Sequence, residues 1–498
     1  MDFRTHTVSW NLTQRCNLQC SHCYLDAAFR VGRKVDELST QDCYNIIGQI
    51  AEVNPNALLI LTGGEPLLRS DIFSIVRRAA ERGFFVVVAT NGTTINPTNV
   101  RQMVDAGVKG VGLSLHSSRE EMHDRFTDVP GSWQAAVDAA VVLREAGMEF
   151  VIQTSVMAWN YEEIPQIVDF AYQLGAKFYN LYLLVCTGRG QGLTDVSSVQ
   201  YERLLAGLYE IQKKHVGRML ISAKCAPQYK RVIYEDNPDS PFLKSHAGGC
   251  PAATHYCQID PRGEVTPCPY MPIGVGNLRE TPFAAIWREA PLLKELRDRS
   301  LLEGRCGVCE FRSLCSGCRA RAYAKTKNYL AEDPSCRYEP GRHGFEEIVL
   351  AEEETLGSEA DLVLEWDEAA QNRLQAIPSF ARGMVVKGVE LFARANRHPV
   401  VTLGVMQQAR EAVGARSGSA VPPMQDSDGA QDAEAEVTTS LLWSPEARER
   451  LSQIPFIPVR DRILKRVEAY AEGNGVTRVT LDVYEAGRGG GDQVGWPS

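Results

Sequence analysis

Three cysteines near the start of the chain, Cys16-Asn-Leu-Gln-Cys20-Ser-His-Cys23-Tyr24, share one short loop in a C-x3-C-x2-C spacing. They follow an apolar, strand-like run at residues 8–12. Three thiolates are one ligand short of a closed tetrahedral site, so a metal centre held here keeps a position open for substrate or cofactor. Structural zinc is the competing reading, although zinc ligands usually come as two spaced C-x2-4-C pairs. A second set reads Cys250-x6-Cys257-x10-Cys268, then Cys306-x2-Cys309-x5-Cys315-x2-Cys318, then Cys336. These eight thiols suffice for two four-thiolate sites, again with zinc as the alternative. Of the fourteen cysteines, three remain. Cys43 reads as core, Cys225 as structural and Cys186 as a buried thiol at a strand end.

Other motifs sit at the ends of strand-like runs. Thr62-Gly63-Gly64-Glu65-Pro66 combines two glycines, which let a ligand approach the backbone, with a carboxylate able to pair with an ammonium group. Ala89-Thr90-Asn91-Gly92 reads locally as a tight turn. Ser114 is a polar strand end, and Gly188-Arg189-Gly190 offers a guanidinium that could clamp a carboxylate.

Taken together, the three-cysteine loop and the Gly-Gly-Glu-Pro turn resemble the signature of the radical S-adenosylmethionine (SAM) enzymes. The resemblance implies a [4Fe-4S] cluster held by Cys16, Cys20 and Cys23, with its fourth iron binding SAM. It also implies SAM contacts from Tyr24, Gly63, Gly64, Glu65, Pro66, Asn91 and Ser114, with Arg189 on a carboxylate of SAM or substrate. The second cysteine set resembles the SPASM extension, which carries two auxiliary [4Fe-4S] clusters. The ligand pattern carried over puts Cys250, Cys257, Cys268 and Cys318 on the first, and Cys306, Cys309, Cys315 and Cys336 on the second. Two spacings depart from the pattern: Cys315 to Cys318 is one residue short, and Cys257 to Gly263 is tight. The run from Tyr256 to Pro272, with the Arg189 loop, is similar to the tetrapyrrole branch of that group.

The activity so implied is generation of a 5′-deoxyadenosyl radical that abstracts hydrogen from a porphyrin-type haem precursor. The alternative is a maturase acting on a ribosomally made peptide or protein side chain; an electron-transfer scaffold is a third reading. A low-potential donor such as ferredoxin or flavodoxin is expected as partner.

The elements that must position these residues are readable from periodicity. Apolar runs at 7–13, 57–62, 84–90, 109–115, 149–155 and 177–184 alternate with helical patterns such as 40–53, 71–82, 97–106, 133–146 and 161–174. That alternation predicts parallel strands with helical crossovers, an α/β partial (β/α)6 barrel whose site lies at the C-terminal ends of the strands. The expected organisation is a core at 1–225, a Cys-rich module at 226–340, a connector at 341–362, a helical repeat at 363–412, a disordered linker at 413–440, a second repeat at 441–486 and a tail at 487–498. The repeats are copies: Trp366 matches Trp443 and Glu390 matches Glu468. Each reads as a short helix, an Ile-Pro break and a longer helix. They resemble the small helical domain of a light-independent protochlorophyllide reductase subunit.

Bulk properties narrow the function classes. With 44% hydrophobic and 23% charged residues the composition is that of a globular protein. A net charge of -9 disfavours a broad nucleic-acid surface. No apolar run approaches the ~18 residues of a membrane span, and the start has no signal-peptide pattern. A cytoplasmic protein with reduced, metal-binding cysteines is expected.

Overall fold

The computed structural model describes residues 5–27, 36–193, 196–215, 218–244, 249–349, 362–375, 377, 379–416, 441–452 and 457–488. The chain divides into two compact units, Met1–Ser419 and Ala420–Ser498. Most of the first is built on one ten-stranded sheet. Its strands are β1 (Thr7–Asn11), β2 (Leu58–Thr62), β3 (Phe85–Thr90), β4 (Gly110–Ser114), β5 (Phe150–Val156), β6 (Phe178–Leu183), β7 (Leu220–Lys224), β8 (Tyr256–Ile259), β9 (Glu264–Thr266) and β10 (Gly276–Asn277). They run in the order β10-β9-β8-β1-β2-β3-β4-β5-β6-β7. Strands β1 to β7 are parallel to their neighbours, β8 adds in parallel to β1, and β9 turns back antiparallel. The sheet therefore curls as a barrel wall without closing.

The helices α1 (Thr40–Val53), α2 (Ile72–Glu81), α3 (Pro97–Ala106), α4 (Glu120–Thr127), α5 (Ser132–Glu145), α6 (Ile164–Leu174) and α7 (Ser198–Lys214) are the crossovers. Several start on reciprocal side-chain caps, Ser39 with Asp42, Asn96 with Asn99 and Ser197 with Gln200. Two stop where Gly107 (φ 97°) and Gly175 (φ 95°) take the left-handed cap. The period of two along each strand then sorts the side chains. Leu59, Leu61, Val86 and Val88 are fully buried against the helices, each burial contributing about 1.5–3 kcal/mol. Their alternates Leu58, Ile60, Thr62, Val87 and Ala89 face inward and line a cavity.

Seven parallel strands precede the Cys-rich region, one more than the six expected. β7 has a single buried apolar position, Ile221, with Leu220 exposed and the other three residues intermediate, so it carries little periodic signal. β8 is four residues long and lies inside the Cys-rich segment, which thus extends the barrel sheet.

Residues at the start of the expected connector pack on this same segment: Gly341 N and His343 N donate to the Glu310 carboxylate at 2.9 and 3.2 Å, and Ile348 N to the Glu310 carbonyl at 2.7 Å. Each C-terminal repeat holds more than the two helices expected. In the first, helices Glu368–Gln375 and Ser379–Ala395 are followed by Leu403–Arg416, and strand Glu365–Trp366 pairs with Val400–Val401. In the second, Pro445–Ser452 and Ile457–Gly473 are followed by Leu481–Arg488, with Leu442–Trp443 on Arg478–Val479. Trp366 Nε1 donates to Glu390 at 3.0 Å, and Trp443 Nε1 to Glu468 at 3.0 Å. The helix reaching Arg416 replaces the first residues of the expected linker, and the helix reaching Arg488 covers the first two of the expected tail. Residues 417–440 and 489–498 lie outside the described residues.

Candidate active site

The three-cysteine loop leaves the C-terminal end of β1 and is gripped from two sides. On one, Gly64 N donates to the Thr13 carbonyl at 2.7 Å and Glu65 N to that of Arg15 at 2.8 Å. The approach is so close that a Cβ on Gly64 would lie 2.1 Å from the Arg15 oxygen. On the other, Gly188 (φ 57°) lies where a Cβ would meet the Tyr24 carbonyl oxygen at 2.5 Å, and Arg189 N donates to the Cys23 carbonyl at 3.0 Å. Within the loop, Leu18 N and Ala27 N each donate to a sulfur at 3.4 Å, Cys16 and Cys23 respectively. Burial pushes the Cys16 thiol up to about 11 and the Cys20 thiol to about 12, so loading a metal must release protons.

Arg189 does not line the cavity. Its guanidinium donates to the Cys20 carbonyl at 3.1 and 3.2 Å, to the Ala27 carbonyl at 2.7 Å and to Asp26 at 3.2 Å. The expected carboxylate clamp is a brace that ties the cysteine loop to the end of β6. Glu65 differs from expectation as well. It is fully buried, and it accepts from Leu67 N at 3.0 Å, Thr90 Oγ1 at 2.9 Å and Asn91 N at 2.9 Å. The carboxylate holds the end of β3 and is not among the residues that line the cavity, and its burial raises its pKa to about 7. Pro66 is buried at the start of the short helical turn that follows.

The other expected residues converge on one cavity of about 620 Å³. Cys16, Cys20, Cys23, Tyr24, Gly63, Gly64, Asn91 and Ser114 all line it. Asn91 Nδ2 lies 4.0 Å from Cys16 Sγ and donates to Asn17 at 2.9 Å, and Tyr24 donates to Asn11 at 3.0 Å.

Four more thiols line the same cavity: Cys225, Cys250, Cys268 and Cys318. After burial, the charges that push the Cys268 thiol up are Cys225, Cys250 and Cys318, so the four are mutual neighbours. Cys257, the expected fourth member, is not among them. Strand alternation turns Tyr256 to the cavity and Cys257 to the outer face of β8, where it is fully buried beside Arg297. Cys225, taken from sequence as structural, stands in its place just beyond β7, at φ 57°. In the sequence, the tight step from Cys257 to Gly263 bears on this pairing without singling out Cys257.

Cys306, Cys309, Cys315 and Cys336 line a separate small pocket of about 30 Å³ with Arg231, Arg305 and Tyr338. Arg319 Nη2 lies 3.7 Å from Cys306 Sγ, and Gly317 N donates to Cys315 Sγ at 3.4 Å. The two sets are laced together, with Cys250 N donating to Ser316 Oγ at 3.0 Å. Asp333, fully buried, accepts from Cys318 N at 2.7 Å, and its carbonyl accepts from Cys336 N at 3.1 Å. Among the described residues, no three His, Cys, Asp or Glu side chains gather around a single-ion position. All-thiol sets of three and four, buried and supplied with N–H donors to sulfur, are the donor chemistry of cubane clusters.

The rest of the cavity wall was not anticipated. His22, His116 and His123 line it around Phe126, with ring centroids 4.7 Å from Phe126 to His22 and 4.9 Å to His116. Backbone amides donate to Nδ1 of His123 at 3.1 Å and of His116 at 3.2 Å. Burial lowers the pKa of His22 and His123 to about 4, so these rings are neutral near pH 7. Lys224 and Lys230 also line the cavity.

Three family models match parts of the chain. Residues 10–171 match the radical SAM superfamily, 250–319 an iron-sulfur cluster-binding domain (SPASM), and 366–410 and 443–488 the proto-chlorophyllide reductase 57 kD subunit. An AdoMet-dependent heme synthase of Methanosarcina barkeri is 39% identical over 343 residues, 67% of this chain and 97% of that protein. A pre-heme d1 synthase of Dinoroseobacter shibae is 29% identical over 358 residues, 66% of this chain and 85% of that protein. In fold the chain is similar to Streptococcus suis SuiB bound to S-adenosylmethionine, with a TM-score of 0.56 at 19% identity over 67% of this chain and 78% of that one. A three-thiol loop at the barrel mouth, thiol sets beside it and a relative matched over nearly its whole length lead to one conclusion: this chain is an enzyme of the radical SAM superfamily that carries a SPASM iron–sulfur domain.

Proposed function

We propose that this enzyme removes hydrogen from a carboxylated, porphyrin-type haem precursor, using SAM and three [4Fe-4S] clusters. The observation that carries the reading is the shared cavity: the three-thiol loop and the Cys225 set line one space of about 620 Å³, within the ~300–1,000 Å³ of a small-molecule site. The relatives named for heme and pre-heme d1 synthesis support that substrate class.

Cys16, Cys20 and Cys23 would hold the cluster that binds SAM; Cys225, Cys250, Cys268 and Cys318 a second; and Cys306, Cys309, Cys315 and Cys336 a third. Bound together, a cluster with an open iron and SAM supply one-electron C–S cleavage and hydrogen-atom abstraction. The protein's part is placement. The Gly63-Gly64 backbone lies against the loop and leaves room for SAM beside Cys16, with Asn91 and Ser114 on the adjoining strand ends. Arg189 and Glu65 hold the loop and the end of β3, so the reacting centres keep their separation. Tyr24, Tyr256 and Tyr270 line the wall between the β1 loop and the Cys225 set, with Tyr24 and Tyr270 rings 5.3 Å apart. Electrons would come from a low-potential ferredoxin or flavodoxin.

The test is anaerobic turnover of the reconstituted protein with SAM, reductant and a haem precursor, read by mass spectrometry. Formation of 5′-deoxyadenosine together with a hydrogen-depleted porphyrin is expected. Deoxyadenosine formation with no porphyrin conversion, alongside modification of a peptide encoded nearby, would overturn the substrate class.

A further inference from the structure

Beside its seven thiols, the cavity holds cationic side chains and, among the described residues, no carboxylate. The protein is net negative at -9, yet among the described residues lining the cavity there is no Asp, Glu or Arg, and there are two lysines. They differ in setting. Lys230 Nζ is withdrawn from solvent without a hydrogen-bond partner, beside the thiols of Cys250 and Cys315. Lys224 ends β7, paired in register with Tyr182 of β6, another cavity residue. Among the described residues, no hydrogen bond or ion pair engages its ammonium. The one charged group acting on it is the neighbouring Cys225 thiol, which a cluster would share, so burying the ammonium stays costly and an incoming carboxylate lowers that cost.

The position narrows which carboxylate this is. SAM also carries one, but the Gly63-Gly64 turn follows β2, and β7 is at the far end of the parallel run, with four strands between them. The cavity lies between.

We propose that Lys224 is the anchoring residue for a carboxylate side chain of the substrate, fixing the polyacid on the β7 side of the cavity. This rests on the haem-precursor reading above.

The test is equilibrium binding, by absorption titration, of iron coproporphyrin III and its tetramethyl ester in the same detergent. Wild type, Lys224→Gln and Lys224→Arg are compared, each reconstituted anaerobically. Wild type should bind the acid and discriminate against the ester. Lys224→Gln should weaken acid binding at least ten-fold and leave ester binding, iron content and SAM affinity unchanged; Lys224→Arg should restore most of the acid affinity. Equal acid binding by Lys224→Gln and wild type overturns the assignment while the haem-precursor reading stands. Loss of iron or of SAM affinity in Lys224→Gln also overturns it, because the lysine would then serve the neighbouring Cys225 set or the SAM carboxylate. If wild type binds neither porphyrin, the haem-precursor reading falls and the assignment with it.

Discussion

At the scale of single residues, position in space decides which thiols count. Cys257 and Cys225 are the sharpest contrast, one turned to the outer face of β8 and the other standing among three cavity thiols. Wild type should reconstitute to about twelve irons per chain if all three sites hold cubanes. Cys225→Ala should lower that by about four, while Cys257→Ala leaves it unchanged; the reverse result, by iron analysis and Mössbauer spectroscopy, would restore Cys257 as ligand. Replacing Cys16, Cys20 and Cys23 together with Ala should remove about four irons and abolish 5′-deoxyadenosine formation. Glu65 has a different signature. Its folded pKa of about 7 lies above the ordinary carboxylate value, so the folded state binds a proton that the unfolded state has released between about pH 4.5 and 7. Its contribution to stability is therefore fully present below pH 4.5 and declines by roughly 3 kcal/mol as pH rises to 7. Denaturation across that range should show the decline in wild type and lose it in Glu65→Gln.

At the scale of elements, the cysteine loop owes its shape to the ends of two other strands, β2 and β6. The turn after β2 and the loop after β6 both press glycine backbone against it, and Arg189 ties three of its acceptors together. Charge-assisted hydrogen bonds of this kind contribute about 1.5–3 kcal/mol each. Arg189→Ala should therefore release iron to a chelator several-fold faster than wild type, followed by decay of cluster absorption, with substrate affinity little changed. An effect on substrate affinity alone would return Arg189 to its expected role as a carboxylate clamp. Lysine cannot substitute fully, because one ammonium cannot reproduce the planar fork.

At the scale of the whole molecule, the C-terminal repeats are small units with their own cores. Each centres on a buried Trp–Glu pair, Trp366 with Glu390 and Trp443 with Glu468. The first also buries Ala370, Val389, Ala393 and Val401 around it. Glu468→Ala leaves a buried indole N–H without that acceptor, at a cost of about 1–3 kcal/mol. Hydrogen exchange at 441–488 should accelerate, while iron content and SAM cleavage stay at the wild-type level. A fall in iron content would show that the repeat supports the cluster region.

What the sequence alone determined is what is local. The C-x3-C-x2-C spacing places three thiols on one loop whatever surrounds it, and alternating apolar runs and helical periods dictate a parallel sheet with crossovers, because side-chain period reports burial directly. Tertiary structure decided the rest: an extra parallel strand at β7, the docking of β8 on β1, Cys225 in place of Cys257, and Arg189 and Glu65 turned to bracing. These depend on which face of a strand a residue occupies and on contacts between separate segments, such as Glu65 with Thr90, 25 residues apart, and Arg189 with Cys20, 169 apart. The two lysines in the cavity of an acidic protein belong to the same class, since charge is summed in the sequence but placed only by the fold.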